Sequence, residues 1–330
     1  SDDYGNPSSM YRCAGRAEAG RSRAREQVAA LLGASPEEIL FTACGTESDN
    51  TAINSALAAQ PDKRHIITTK VEHPAVLATV QHLENNGYRV TWLGVDEKGR
   101  LDLEEVRAAF RPDTALIAVM FANNETGNIY PMAEIAAMAA ERGVQMLTDA
   151  VQAVGKVPFK LSDLPVNFLA LSGHKLHAPK GVGALYVRRG TPFRPFMLGG
   201  HQERGRRAGT ENVASIVALG AACELAGKHI RDENTRVKAL RDKLEKGLLE
   251  RVSLAMVNGT SGSLEPSHVL RAMGVPFTHV HGSLRLSLSR YNTEKDIDLV
   301  LKELPVIVEH LRSISPYRED QEPRACAARF

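Results

Sequence analysis

The sequence predicts an α/β fold with a mainly parallel sheet and helices on both of its faces. Two observations support this. Short apolar runs, each bounded by turn residues, recur through the first two thirds of the chain, and helix-length segments separate them. That alternation is typical of strand–helix–strand units, in which the helices cover both faces of a parallel sheet.

The order of the elements follows from these runs. Strands are predicted at 38–42, 65–69, 89–95, 114–120, 144–150, 168–172 and 183–189, and helices at 47–59, 75–86, 103–110 and 132–143. From about residue 211 the pattern changes to long charged helices with a period near 3.6, such as 233–252, followed by a short strand at 283–289 and a helix at 294–311. We therefore predict a large domain over 1–230 and a smaller α+β domain over 231–330.

Composition limits the classes of partner. The chain has 330 residues, 43% of them hydrophobic, and its 41 basic and 39 acidic residues leave a net charge of +2. This balance does not favour nucleic acid or membrane as the main partner. We find no apolar run long enough to span a bilayer and no secretory leader. The cysteines, Cys13, Cys44, Cys223 and Cys326, form no CxxC motif, which argues against a zinc site and fits reduced thiols in a cytoplasmic protein.

Two motifs are set aside. The stretch GRAEAGRS (15–22) approaches the spacing of a phosphate-binding P-loop, but it lacks the lysine and follows no strand, so we interpret it as helix. The basic cluster ERGRRAG (203–209) has no interleaved aromatic residues, which makes it weak evidence for nucleic-acid binding. We expect it to serve a dimer interface and to position groups on the phosphate side of a site.

Lys175 lies where an apolar strand meets a turn rich in Gly and Pro, between His174 and His177. A lysine beside a buried strand costs free energy unless it is paired or used chemically. A solvated loop lysine is the alternative, and this stretch alone does not decide between them.

Other strand ends also carry polar groups. His73 follows one strand, Asn123 and Asn124 another, and Asp149 and Gln152 a third. Ligands of open α/β sheets bind outside the carboxyl ends of the strands, so we expect a site there rather than a polar rim without a ligand.

The turn at Gly45 and Thr46 opens a helix directly after a strand. Its N–H groups could hold a phosphate, although an ordinary capping turn with Thr46 as N-cap is the alternative. A lysine for a Schiff base, a carboxylate for a pyridinium nitrogen, a flat imidazole to stack and a phosphate-binding helix terminus meet the needs of pyridoxal phosphate.

Eight segments then point to one family: YGNPSS, CGTESDNTAI, VEHPAV, ANNETGNIYP, TDAVQAVGK, SGHKLHAPKGVG, GGHQERGRRAGTEN and SLEPSHV, in this order. The chain resembles the NifS-type cysteine desulfurases, pyridoxal-phosphate enzymes of the class V aminotransferase-like group with fold type I. The resemblance covers nearly the whole chain and is nearer to the nitrogen-fixation branch than to the housekeeping one.

The resemblance implies a role for each matching position. Lys175 would hold the cofactor as a Schiff base and later move protons, and His73 would stack on the ring and help with protons. Asp149 would pair with the pyridine nitrogen, and Gln152 would touch the ring hydroxyl. Further cofactor contacts are implied for Gly45, Thr46, Asn124, Ser172 and His174, and for Thr210 across a homodimer. Asn124 and Arg285 would hold the substrate carboxylate, a task that suits the planar fork of arginine.

The implied reaction takes sulfur from L-cysteine and leaves L-alanine. An enzyme cysteine becomes a persulfide, which passes to a NifU-like scaffold for the assembly of iron–sulfur clusters. No metal is implied among the enzyme's own ligands.

An internal departure from the family concerns the persulfide cysteine. The persulfide cysteine of the family lies directly before the segment TSGSLEPSHV (260–269), where this sequence has AMVNG (255–259). The family has a few tens of residues between the positions that correspond to Gly259 and Thr260, and the resemblance implies that the sequence lacks them. Either the protein carries a loop here that the sequence lacks, or the segment is truly deleted. We favour the first, because losing interior strands would leave backbone groups unpaired.

Three other functions remain as alternatives. A selenocysteine lyase would share the scaffold. A cofactor-binding partner in cluster assembly, inactive in sulfur transfer, would explain a true absence of the nucleophile. A nicotinamide dehydrogenase is disfavoured because no GxGxxG follows the first strand.

Overall fold

A computed structural model describes residues 5–7, 14–257, 267–275 and 283–314. The strands are β1 (Ile39–Thr42), β2 (His65–Thr69), β3 (Arg89–Leu93), β4 (Thr114–Ala118), β5 (Gln145–Asp149), β6 (Phe168–Ser172) and β7 (Gly183–Val187). The helices are α1 (Ala14–Leu32), α2 (Gly45–Ala58), α3 (Pro74–Asn85), α4 (Leu103–Ala109), α5 (Met132–Glu141), α6 (Gln202–Gly205), α7 (Val213–Asp232), α8 (Lys238–Arg251), α9 (His268–Ala272) and α10 (Glu294–Ile314). The predicted α/β class is confirmed, and the GRAEAGRS stretch is helical as expected.

The seven strands form one sheet in the order β1-β7-β6-β5-β4-β2-β3. Neighbours from β3 to β6 are parallel, whereas β7 runs antiparallel to both β6 and β1. The residues of β2, β4, β5, β6 and β7 are all buried, as expected of a sheet covered on both faces. Because β2, β4, β5 and β6 are parallel, their carboxyl ends meet at one edge.

The chain divides into two compact units. The first contains Ser1–Ile230 and Asn258–Leu286, and the second contains Arg231–Val257 and Ser287–Phe330. The sequence-based division assigned all residues after 230 to the small domain, whereas the described residues 267–275 and 283–286 belong to the first unit. Within the described residues, the second unit is helical.

The strand predicted at 283–289 is wrong, because these residues have no regular structure. Their alternating apolar pattern fits a half-buried strand, but a strand also needs a hydrogen-bonded neighbour. The described residues supply none for this segment, and Leu284 is 58% exposed.

One helical run, 213–251, is long and apolar enough to cross a membrane by length and composition alone, which the sequence analysis did not expect. The core helix of a soluble protein passes the same test, so the finding is weak evidence. The apolar residues Ile216, Leu219 and Cys223 of α7 are packed in the hydrophobic core of the first unit.

Helix α10 of the second unit contains a proline, Pro305. Proline has no N–H, so the carbonyl four residues earlier, that of Leu301, loses its helical donor. Arg251 at the end of α8 donates a hydrogen bond from Nη1 to this carbonyl at 2.8 Å. The two helices approach closely, since a Cβ on Gly247 would lie 2.6 Å from Leu301 Cδ2.

Candidate active site

Lys175 lies in a short 3₁₀ turn, Gly173–Leu176, directly after the carboxyl end of β6. The turn is closed by His177, which adopts a left-handed φ of 66°. The Ser172 hydroxyl and His174 Nδ1 share a hydrogen bond of 2.9 Å. Lys175 is half-buried and lies close enough to Asp149, His73 and His174 to act on all three electrostatically. The structure therefore brings the lysine to the predicted strand ends.

Asp149 is the last residue of β5 and is 6% exposed. Its Oδ1 accepts a hydrogen bond from the Val151 backbone N–H at 2.9 Å. Burial raises the pKa of Asp149 to about 6, opposed by the Val151 hydrogen bond and by the positive charge of Lys175. At neutral pH the carboxylate is thus ionised and able to accept a hydrogen bond from a protonated nitrogen.

His73 precedes α3 and caps it, a role that the sequence did not reveal. Its Nδ1 accepts the backbone N–H of Ala75 at 3.1 Å, so a neutral ring carries its proton on Nε2. Burial lowers the pKa of His73, and the nearby Lys175 and His268 lower it further. The ring is therefore neutral at neutral pH and is held in one tautomer.

Helix α2 begins at Gly45, with Cys44 in the N-cap position and no side-chain cap. Thr46, the N-cap in the alternative interpretation, lies instead inside the first turn. A Cβ on Gly45 would lie 2.9 Å from Val151 Cγ2 and 3.4 Å from Ser172 Cβ, so only glycine lets this turn approach the ends of β5 and β6 closely. Thr46 and His73 line the same cavity of about 600 Å³, together with Asn50, Asn54, Pro74, Ala75, Ala78, Thr79, His82, Leu83 and Phe196.

The basic segment 203–211 is anchored to the fold by ion pairs. Glu203 is 3% exposed and accepts two hydrogen bonds from Arg25, at 2.6 and 2.9 Å, and one from the Phe41 N–H. Arg207 donates to both oxygens of Glu47 on α2, at 2.8 and 3.2 Å. These contacts hold the segment against the start of α2, while Thr210 remains exposed.

The remaining predicted site residues have weaker support. Gln152 accepts a hydrogen bond from Lys156 at 3.3 Å. Arg285 is exposed and reaches the backbone carbonyl of Asn124 at 3.5 Å. Their roles toward a cofactor or a substrate stay predictions.

Sequence reasoning missed two buried acids beside Asp149. Glu72 and Asp49 are each 1% exposed, and Glu72 Oε2 and Asp49 Oδ1 have no hydrogen-bond partner. Burial raises the pKa of Glu72 to about 8, and it raises that of Asp49 well above its ordinary value. The charge of Asp149 raises both further. Glu72 stands beside His73 in the quoted motif VEHPAV, but nothing in that motif reveals a burial so complete.

The donor set fits pyridoxal phosphate. The site offers an amine on Lys175, a buried carboxylate on Asp149 with one oxygen bonded to Val151 N–H, a neutral imidazole on His73 and an open helix terminus at Gly45. Each matches one part of that cofactor: the aldehyde, the pyridine nitrogen, the ring face and the phosphate.

Comparison with known proteins agrees with this chemistry. The family Aminotransferase class-V matches residues 1–263. The chain is 53% identical to "Cysteine desulfurase 2" of Trichormus variabilis, over 96% of this chain and 89% of that protein. It is 50% identical to "Cysteine desulfurase NifS" of Azotobacter vinelandii, over 98% of this chain and 90% of that protein.

The solved structures are similar as well. A "NIFS-LIKE PROTEIN" superposes with a TM-score of 0.87 at 36% identity, covering 94% of this chain and 93% of that chain. "SspA in complex with cysteine" superposes with a TM-score of 0.78 at 32% identity, covering 89% and 93%.

The alignment with the Trichormus protein extends over 357 positions, more than the 330 residues of this chain, so that protein carries segments that this chain lacks. The predicted gap between Gly259 and Thr260 lies outside the described residues. With half of its aligned residues identical to those of named desulfurases over nearly its full length, the chain belongs to the class V aminotransferase family and, within it, to the cysteine desulfurases.

Proposed function

We propose that this protein is a pyridoxal-phosphate-dependent cysteine desulfurase that supplies sulfur for the assembly of iron–sulfur clusters. One observation carries the proposal. Lys175 and the buried carboxylate Asp149 lie close together at one sheet edge, in a chain that is half identical to named cysteine desulfurases. The solved structure of a relative with cysteine supports the choice of substrate.

Pyridoxal phosphate, when bound, supplies an electron sink for the bond-breaking at the substrate's Cα and Cβ. The chain's residues hold it in place. Lys175 Nζ would bind its aldehyde carbon, and the N–H groups at Gly45 and Thr46, at the positive end of the α2 dipole, would bind its phosphate. Ser172 and His174, linked by their hydrogen bond, lie on the same side of the site.

Asp149 would hold the proton on the pyridine nitrogen, because its carboxylate is ionised above its pKa of about 6. His73 would stack on the ring as a neutral imidazole with its proton on Nε2, since its Nδ1 accepts the Ala75 N–H. Gln152 would contact the ring hydroxyl. Lys175 would also serve as the base that takes the Cα proton of the substrate.

The sulfur step balances with a thiolate as co-reactant. The Cβ–S bond of cysteine breaks and an S–S bond to the thiolate forms, giving a persulfide. The substrate carbon skeleton takes up protons and leaves as L-alanine. Asn124 and Arg285 hold the substrate carboxylate through these steps, by the bidentate contacts that arginine offers.

We also propose a cytoplasmic homodimer in which Thr210 reaches the phosphate site of the second copy, and a NifU-like scaffold as the sulfur acceptor. The exposure of Thr210 and the anchoring of its segment to α2 support the first point.

A second candidate function rests on one specific observation. The segment before Thr260 contains no cysteine, although the family's nucleophile lies there. A chain without this thiol would bind the cofactor and fail to form a persulfide. The turnover rates with cysteine and with selenocysteine, measured side by side, show which of the two is the preferred substrate.

Intact mass under denaturing conditions, with and without borohydride reduction, tests the proposal. Reduction should add one cofactor mass to the wild type and none to Lys175→Ala, and incubation with L-cysteine should yield alanine. Suppose that the cofactor mass is added, that the polypeptide mass equals that of this sequence, and that no alanine forms. The protein would then be the cofactor-binding partner that is inactive in sulfur transfer. No increment in the cofactor-supplemented wild type would overturn both functions.

A further inference from the structure

Glu72 ties together the ends of two neighbouring strands. Its Oε1 accepts the Thr69 hydroxyl at 2.7 Å, from the last residue of β2, and the Met120 backbone N–H at 3.0 Å, two residues after β4. Its second oxygen, Oε2, is buried and has no partner. A lone buried oxygen costs far less free energy as part of a neutral acid than as part of a carboxylate.

The same segment holds Asp149. Phe121 follows Met120, the residue that is bonded to Glu72. The backbone N–H of Phe121 donates a hydrogen bond to the backbone carbonyl of Asp149 at 2.8 Å. The two bonds come from consecutive residues of one short segment after β4. Fixing Met120 on Glu72 therefore fixes the backbone that carries the cofactor-facing carboxylate.

The charged and titratable groups around Glu72 come from several elements. Asp149 acts on it from the end of β5, and Asp49 from α2. The buried Tyr130 lies near it, and His268 from α9 bonds its backbone carbonyl at 2.9 Å. Ionising Glu72 would add a negative charge beside Asp149 and Asp49, which are already costly to bury.

We propose that Glu72 is a positioning residue for Asp149, and that it works as a neutral acid held between the ends of β2 and β4. This inference rests on the proposed function in one respect, namely that Asp149 binds the cofactor. A neutral Glu72 leaves Asp149 as the ionised group on this side of the site.

Thermal unfolding as a function of pH tests the neutral form. Glu72 ionises near its ordinary value of 4.5 when the chain unfolds, and at about 8 when it is folded. The folded-state pKa is raised, so the stabilisation is complete below pH 4.5 and is lost as the pH rises through about 8. Glu72→Gln cannot ionise. Its Tm relative to wild type should therefore rise between pH 5 and pH 8.5, by at least about 2 °C.

Glu134→Gln is the matched control, because it makes the same chemical change at an exposed position of α5. Its Tm difference from wild type should stay flat over this pH range. A flat difference for Glu72→Gln as well, or one that falls with pH, would overturn the neutral acid.

Equilibrium dialysis of pyridoxal phosphate against the full chain at pH 7 tests the positioning role. Glu72→Gln keeps an acceptor for Thr69 and Met120, so its affinity should stay within about twofold of wild type. Glu72→Leu lacks the acceptor and should bind roughly tenfold more weakly. Wild-type affinity in Glu72→Leu, or a loss of affinity in Glu72→Gln as large as in Glu72→Leu, would refute the role. If the proposed function is wrong, neither wild type nor any variant binds the cofactor. The pH dependence of the Tm would still test the neutral form of Glu72.

Discussion

Buried and half-buried carboxyl groups have different partners in two regions of the first unit. In the anchored segment 203–211 and its contacts, Glu203 and Glu47 are each bonded by an arginine through two hydrogen bonds. At the strand ends, no salt bridge reaches Asp49, Glu72 or Asp149 among the described residues. An arginine partner fixes a carboxylate and the segment that carries it, whereas burial of the strand-end acids raises their pKa, as expected at a functional site.

Removing Lys175, the cation that acts on Asp149, should give the largest effect. Lys175→Ala should abolish the borohydride-dependent mass increment and lower the rate of alanine formation by roughly 10²- to 10⁴-fold. Lys180→Ala changes an exposed lysine five residues later and should leave both unchanged. An increment that persists in Lys175→Ala would assign the cofactor link to another lysine.

Removing an arginine from the other region should cost stability rather than chemistry. Arg25→Met leaves Glu203 buried without its partner and should lower the free energy of unfolding by about 3–5 kcal/mol in urea titrations. Arg89→Met breaks the exposed pair with Asp113 and should cost only about 0.2–1 kcal/mol. Similar losses in the two variants would show that burial does not separate these ion pairs.

The strand-end acid Asp149 should show a pH signature. Its pKa rises from 3.8 to about 6 on folding, so its contribution to stability is complete below pH 3.8 and is lost as the pH rises through about 6. Asp149→Asn should remove this loss, and should weaken the binding of pyridoxal phosphate roughly ten- to a hundredfold, or about 1.5–3 kcal/mol. The exposed Asp62→Asn should do neither, and unchanged binding in Asp149→Asn would disprove its cofactor role.

A smaller loss of stability is expected for a buried acid whose partner is a hydroxyl group and not an arginine. The buried Glu125 accepts a hydrogen bond from Ser267, which also caps α9 by accepting the N–H groups of Val269 and Leu270. Ser267→Ala should cost about 0.5–2 kcal/mol in the same titrations. Ser162→Ala, at an exposed position, serves as the control, and Ser267→Thr should recover part of the loss.

Much of the frame could be predicted because its signals are local. Apolar runs located all seven strands of the sheet within a few residues, and polar residues after the strands indicated which edge carries the site. The interactions of Glu72 with Met120, and of Glu203 with Arg25, join segments far apart in the sequence, so no local pattern contains them. The strand at 283–289 failed for the same reason, since its formation depends on a neighbour.

The proline of α10 changes how that helix is expected to open. The Leu301 carbonyl, freed by Pro305, is held by Arg251 instead of by the helix itself. The hydrogen-bond ladder is interrupted at this point, so the stretches before and after Pro305 can fray separately. Amide hydrogen exchange should then report two protection levels along α10, with the first half protected through its bond to α8.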